Sequence, residues 1–211
     1  MQIEFLDSVD STQAYLKNLV KNSKINELYA VVSQIQTNGI GSRNNSWKSI
    51  EGNLFLSFAI SITKLPKDLK LESASIYFAF ILKELLTAKN SNVWLKWPND
   101  FYINEKKIGG MITNVVEDYL ICGVGINLID SPSSFSKLDI NISTKELVYS
   151  YLGNIENNSL WKQIFSKYKI EFYRNKRYYT HINNQKVSLK SASLQSDGSL
   201  IINGERIYSL R

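Results

Sequence analysis

Leu95-Lys96-Trp97-Pro98-Asn99-Asp100-Phe101 joins a short apolar run, Val93 to Lys96, to a polar turn. The residue before a proline is steered out of the helical region, so Trp97 is extended and Lys96 stands at the end of a strand. An ammonium held there suits a site where negative charge develops on phosphate or acyl oxygens. A solvated surface lysine followed by a turn is the plainer reading of the same residues. The packed neighbourhood of Trp94, Trp97 and Pro98 leaves the two in balance.

Working outward, Ile108 to Val116 and Tyr119 to Ile126 read as two strands joined by a tight turn at Glu117-Asp118. Upstream, Leu71 to Lys89 is apolar nearly all round through Tyr77, Phe78, Phe80, Ile81, Leu85 and Leu86, which marks a central buried helix. Asn53 to Thr63, Tyr29 to Gln34 and Gln2 to Leu6 read as strands, and Gln36 to Glu51 as a long loop. Ser11 is the expected N-cap of a first helix with its apolar stripe at Ala14, Tyr15, Leu19 and Val20. Downstream, Thr144 to Tyr151 and Ser159 to Arg174 carry helical spacing. Composition changes near Asn175. From Lys186 short polar and apolar runs alternate, with turn signals at Asp197-Gly198 and Asn203-Gly204. The order predicts an α+β chain: a mixed, mostly antiparallel sheet with helices on one side over residues 1–178, then a small all-β appendage over 179–211.

Composition narrows the chemistry. In 211 residues, 44% are hydrophobic, 12% aromatic and 21% charged, which fits one sizeable folded domain and argues against disorder. No run approaches the length of a membrane span, and the N-terminus lacks the basic and apolar regions of a signal peptide. The single cysteine, Cys122, excludes an internal disulfide and gives no zinc pattern, so a cytoplasmic protein is the simplest expectation. The single histidine, His181, sits in a polar stretch that reads as a surface loop. A Ser–His–Asp triad, a Cys–His pair or a multi-histidine metal site would each need it, so the chemistry expected here relies little on a histidine base. The net charge of +6 is spread over scattered lysines with no long like-charge run. It suits an acidic partner. A non-enzymatic nucleic-acid module that uses aromatics such as Tyr173, Tyr178 and Tyr179 is the alternative, and a binding assay at physiological salt separates the two.

Two more segments are rich in glycine and polar groups. Gln36-Thr37-Asn38-Gly39-Ile40-Gly41-Ser42-Arg43 follows a buried strand. Its glycines let backbone N–H groups approach a ligand, and Arg43 could match an anion. An ordinary loop is an equal reading. Gly123-Val124-Gly125-Ile126-Asn127 places alternate glycines in a strand, a sign of close backbone approach by a ligand or another chain. It does not begin a dinucleotide fingerprint, since no third glycine or helix follows.

Together these segments resemble the biotin–protein ligase family over roughly Asp10 to Leu128. Lys96-Trp97-Pro98-Asn99-Asp100 matches that family's signature without change, and Lys107-Ile108-Gly109-Gly110 follows it. Asp10-Ser11-Thr12, Gln36-Thr37 to Arg43 with Trp47, and Gly123 to Asn127 resemble its other motifs. The resemblance implies a class II synthetase-like core with a shortened SH3-like tail. It implies that biotin and ATP, with Mg2+, form biotinyl-5′-AMP, and that the acyl group passes to a lysine of the biotin carboxyl carrier protein of acetyl-CoA carboxylase. Lys96 and Arg43 would be catalytic. Ser11, Thr12, Gln13, Gln36, Gly110, Gly123 and Gly125 would bind biotin. Gly39, Ile40, Gly41, Ser42, Arg43, Trp47, Asn99, Asp100, Lys107 and Asn127 would bind ATP or the adenylate. No metal ligand set of the protein's own is expected. Ile40 and Ser42 stand where the family usually has arginine, and Gln13 where asparagine is usual. The chain starts at the catalytic core, so an enzyme without operator binding is expected, with neither nucleic acid nor membrane as partner, as a monomer or homodimer. Lipoate–protein ligases and octanoyl transferases share the implied fold and are the nearest alternative.

Overall fold

The structure is a computed structural model that describes residues 1–25, 27–41, 46–182 and 185–208. Seven strands form the main sheet. They are β1 (Gln2–Val9), β2 (Tyr29–Gln36), β5 (Leu54–Ser61), β6 (Trp94–Lys96), β7 (Asp100–Ile103), β8 (Lys106–Val116) and β9 (Tyr119–Ile126), in the spatial order β1-β2-β5-β9-β8-β7-β6. Only β1 and β2 run parallel, with helix α1 (Thr12–Lys21) between them; every other neighbouring pair is antiparallel. The mixed sheet expected from the sequence is therefore present.

Helices cover both faces. Leu16 and Val20 of α1 pack with Val31, Ala59 and Ile121 on one side of the sheet. The alternate residues Ala30, Phe58, Ile60 and Leu120 join the large core beneath α2 (Ala74–Ala88), α3 (Thr144–Glu156) and α4 (Trp161–Glu171). The one-sided arrangement expected from the sequence is corrected accordingly. A strand such as β5, Leu54-Phe55-Leu56-Ser57-Phe58-Ala59-Ile60, is apolar at nearly every position because it is covered on both sides.

Several boundaries differ from expectation. The region 36–51 contains a ribbon of β3 (Gly39–Ile40) against β4 (Ser46–Trp47). Strand β7, to which the sequence reading assigns no element, is four residues long and turns into β8 at Asn104, a residue in the left-handed region at φ 51°. Helix α3 runs on to Glu156, and Phe172–Arg177 is a tight helical turn beyond α4. His181 lies in strand β10 (Tyr179–Ile182), paired with Lys186 of β11 (Gln185–Ser188), exposed but not in a loop. Tyr178 packs against Trp94 and Tyr102, whereas Tyr173 and Tyr179 are exposed.

The C-terminal strands β12 (Ser193–Leu194), β13 (Leu200–Ile202) and β14 (Glu205–Ile207) form a small sheet of their own. Their apolar residues Leu200 and Ile202, with Leu189 and Ala192, belong to the same core as the helices. The Trp97 indole donates to Gly198 O at 2.9 Å and the Trp161 indole to Ser196 O at 2.9 Å, which ties the tail to the signature segment. Asn175, fully buried, accepts from Trp97 N at 2.6 Å and donates to Leu95 O at 3.3 Å. These bonds flank Lys96, the last residue of β6. Among the described residues no helix is long and apolar enough to cross a membrane.

Candidate active site

A cavity of about 240 Å³ opens on the face of the sheet that carries α1. Its walls come from the first residues of α1, the end of β2, the β3–β4 ribbon and the facing stretches of β5, β8 and β9. The two ends differ in chemistry.

One end is neutral and polar. Ser11 caps α1 through Ala14 N at 3.4 Å. Gln36 Oε1 accepts from Thr12 N at 2.8 Å and from Thr12 Oγ1 at 3.1 Å, and Thr12 Oγ1 lies 2.8 Å from Ser57 Oγ. Thr12, Gln13 and Ser57 are buried. Gln13 Nε2 and Trp47 Nε1 are buried donors with no hydrogen-bond partner among the protein atoms. Buried polar groups are almost always paired, so two unmatched donors in one cavity wall point to acceptors supplied by a ligand.

The other end is charged. Asp100 Oδ1 lies 2.6 Å from Lys107 Nζ, and Asp100 Oδ2 lies 3.4 Å from Lys96 Nζ. Two cations thus share one carboxylate, and the trio keeps a net positive charge. The Lys96 ammonium also sits over the Tyr102 ring, 5.5 Å from its centroid. Burial, followed by the Asp100 charge and by Tyr178, raises the Tyr102 hydroxyl above its usual range, so the ring stays neutral beside the lysine. Phe135, from the segment after β9, also lines the cavity, and its neighbour Ser136 donates from N to Lys107 O at 2.9 Å.

Two glycines shape the wall. An added Cβ on Gly125 would lie 2.9 Å from Trp47 Cε2, so the indole rests flush on the β9 backbone. On Gly109 it would lie 2.3 Å from Gly125 O, so only glycine lets β8 and β9 pack there.

Of the residues singled out from sequence, Ser11, Thr12, Gln13, Gln36, Gly110, Gly123 and Gly125 all line the cavity. So do Ile40, Gly41, Trp47, Asn99, Asp100 and Lys107. Lys96 does not: its ammonium is reached through Asp100, and the wall lysine is Lys107. Gly39 lies beneath Trp47 and outside the wall. The Asn127 side chain, expected against adenine, is buried and donates to Ser136 O at 3.0 Å, a structural bond outside the wall. Ser42 and Arg43 lie outside the described residues. The sequence reading missed Ser57, Met111, Ile112 and Phe135, among others. The lone serine in the apolar run of β5 was a usable signal for Ser57; nothing local marks Phe135.

Residues 5–127 match the model of the biotin/lipoate A/B protein ligase family. The chain belongs to this family. Among solved structures it is similar to the biotin acetyl coenzyme A carboxylase synthetase of Helicobacter pylori with bound biotinylated ATP. That match has 36% identity and a TM-score of 0.93, and it covers 98% of this chain and 99% of that one. It shares its fold with the biotin protein ligase of Aquifex aeolicus in complex with biotin and ATP, at 24% identity and a TM-score of 0.79, covering 100% of this chain and 96% of that one. It is 31% identical over 139 residues to the bifunctional ligase/repressor BirA of Bacillus subtilis, a match that takes in 61% of this chain and only 41% of that relative's length.

Proposed function

We propose that the chain is a biotin–protein ligase that activates biotin with ATP to biotinyl-5′-AMP and transfers the biotinyl group to a lysine of the biotin carboxyl carrier protein of acetyl-CoA carboxylase. The observation that carries this reading is the two-ended cavity. Thr12, Gln13, Gln36 and Ser57 present fixed donors and acceptors at one end, suited to a ring urea, and Lys107 with Asp100 and Lys96 presents positive charge at the other. The similarity to the Helicobacter pylori synthetase over nearly both whole chains supports it.

The chemistry asks little of a base. A carboxylate is already a nucleophile at neutral pH, so its oxygen attacks the α-phosphorus while pyrophosphate departs with the P–O electron pair. Lys107, on the cavity wall, stabilises charge on the phosphate oxygens. Lys96 acts behind it by sharing Asp100, which leaves Lys107 less neutralised. In the second half the acceptor lysine's amine attacks the acyl carbon and AMP leaves.

Magnesium fits as a companion of the nucleotide. Among the described residues no group of three or more acidic, histidine or cysteine side chains could cage an ion, while Asp100 offers one carboxylate at the charged end. Mg2+ commonly takes one or two carboxylates and draws its other ligands from phosphates and water. Bound there, it would neutralise phosphate charge.

Ile40, Gly41 and Trp47 frame the cavity mouth, so the ribbon would cover the adenylate and keep water from it. Residues 1–178 are proposed as the catalytic unit and 179–211 as an appendage docked on it through Trp97 and Trp161. The reaction belongs in the cytoplasm, with neither nucleic acid nor membrane as partner. Pyrophosphate release measured with ATP-Mg2+ and either biotin or lipoate tests the first half-reaction. Release that depends on biotin supports the reading. Release with lipoate alone moves the substrate to the sister activity, and release with neither overturns the ligase reading.

A further inference from the structure

Asn53, the residue before β5, is buried and lies outside the cavity wall. Its Oδ1 accepts from three consecutive backbone N–H groups, Leu128 at 2.9 Å, Ile129 at 3.1 Å and Asp130 at 3.4 Å. Its Nδ2 donates to Asp130 O at 2.8 Å and to Asn127 Oδ1 at 3.5 Å. One side-chain amide thus satisfies the turn by which the chain leaves β9. Gly52 beside it has φ 88°, and an added Cβ there would lie 1.9 Å from Ile129 Cδ1, so the turn also seats against bare backbone.

Asn127 extends the anchoring. Its N donates to Ile108 O at 2.8 Å, its Nδ2 to Ser136 O at 3.0 Å, and its O accepts from Leu138 N at 2.8 Å. Ser136 N in turn donates to Lys107 O at 2.9 Å. Between these ties the stretch 127–138 has no helix or strand, yet it delivers Phe135 to the charged end of the cavity next to Lys107. A segment without a ladder depends on side chains to pair its backbone. Here two asparagines, neither of which titrates, do that.

We propose that Asn53 is a positioning residue: through Asn127 and the 128–136 segment it fixes Phe135 and the Lys107 backbone at the charged end of the cavity. It thereby sets affinity for the nucleotide and leaves affinity for the acyl acid unchanged. The assignment of that end to the nucleotide rests on the ligase reading above. Because Ile129 and its neighbours border solvent, loss of the amide loosens the segment locally and leaves the sheet folded. A carboxylate at this position keeps the acceptor for three N–H groups but faces Asp130 O and Asn127 Oδ1 with negative charge, so Asn53→Asp falls between wild type and Asn53→Ala.

The test combines hydrogen exchange read by mass spectrometry with steady-state kinetics on the full chain, for Asn53→Ala and Asn53→Asp. Exchange is expected to quicken across 127–138 and stay unchanged in β2 and β5. The ATP KM is expected to rise about tenfold or more in Asn53→Ala while the biotin KM stays within about twofold, with Asn53→Asp intermediate. A merely structural role would lower the melting temperature without splitting the two KM values. Unchanged exchange in 127–138, a rise throughout the chain, or equal increases in both KM values would overturn the proposal. If Asn53→Ala does not fold, Asn53→Asp is judged by the same criteria. If the wild type turns over no ATP with biotin, the ligase reading fails on its own, and the exchange pattern still decides the anchoring.

Discussion

Adding one methyl group at Gly125 or at Gly109 should produce opposite phenotypes, although both glycines sit at the same crossing of β8 and β9. At Gly125 the obstacle is the Trp47 indole, with Cε2 at 2.9 Å, Cζ2 at 3.0 Å and Nε1 at 3.2 Å from the new Cβ. Trp47 belongs to the β3–β4 ribbon, which stands apart from the main sheet, so the ring can swing away. At Gly109 the obstacle is Gly125 O at 2.3 Å and Ile126 Cα at 3.1 Å, the backbone of a central strand. That cannot yield without breaking the ladder. Overpacking typically costs about 1–3 kcal/mol, and an obstacle made of backbone puts Gly109→Ala at the upper end, about 3 kcal/mol. Relief by a mobile side chain costs under about 1 kcal/mol, offset by the ~0.4–1 kcal/mol that alanine gains over glycine through the unfolded chain. At roughly 2–4 °C per kcal/mol for a chain of this size, Gly109→Ala should melt about 6–12 °C early, and Gly125→Ala within about 4 °C of wild type. Displacing the indole removes one wall of the cavity, so Gly125→Ala should weaken biotin binding by about 10–100-fold, or roughly 1.4–2.7 kcal/mol. Thermal unfolding and isothermal calorimetry read the two quantities. If Gly125→Ala melts as early as Gly109→Ala, or binds biotin like the wild type, the placement of Trp47 as a movable wall on a fixed strand is wrong.

Lys107→Met should cut biotin-dependent adenylate formation about 100-fold, whereas Lys96→Met, one carboxylate further from the wall, should cut it about tenfold; single-turnover kinetics rank the two. Asn175→Ala leaves the buried Trp97 N–H and Leu95 carbonyl unpaired, which should cost about 2–4 kcal/mol in urea unfolding. Asp197 supplies the pH dependence. Burial acts to raise its carboxyl pKa, but the bonds from Ser199 and the charges of Arg206 and Lys70 outweigh burial and hold it below the usual value. A depressed folded value means its stabilisation is present above the unfolded pKa and is lost as pH falls, so the docked tail should weaken below about pH 4, and Asp197→Asn should flatten that dependence in thermal unfolding.

Most of the cavity wall was legible because its residues sit in contiguous motifs that the chain folds locally. Ser11-Thr12-Gln13 opens a helix, Gln36 ends a strand, and Gly123 and Gly125 lie on one face of β9 by their spacing of two. That Lys107 lines the cavity while Lys96 stands behind Asp100 was not legible. It depends on the register of β7 against β8, which is broken by an irregularity between Phe101 and Tyr102. Strand β7 was itself hidden because it is short and begins at Asp100, where Asn99-Asp100 reads as a turn. The placement of α1 opposite the other helices was hidden for a different reason. Ala30 and Val31, or Phe58 and Ala59, are all apolar, so no alternation shows which face carries which helix. Phe135 reaches the cavity from an irregular segment that long-range hydrogen bonds tie to Asn53 and Asn127, and no periodicity in the sequence reports such bonds.

The most direct test of the central claim is the intact mass of a purified biotin carboxyl carrier domain after incubation with the chain, ATP-Mg2+ and biotin, with lipoate in a parallel sample. The account predicts one biotinyl group added at a single carrier lysine, dependent on ATP and strongly reduced in Lys107→Met. An unmodified carrier in the biotin sample, or a carrier modified only by lipoate, would contradict it.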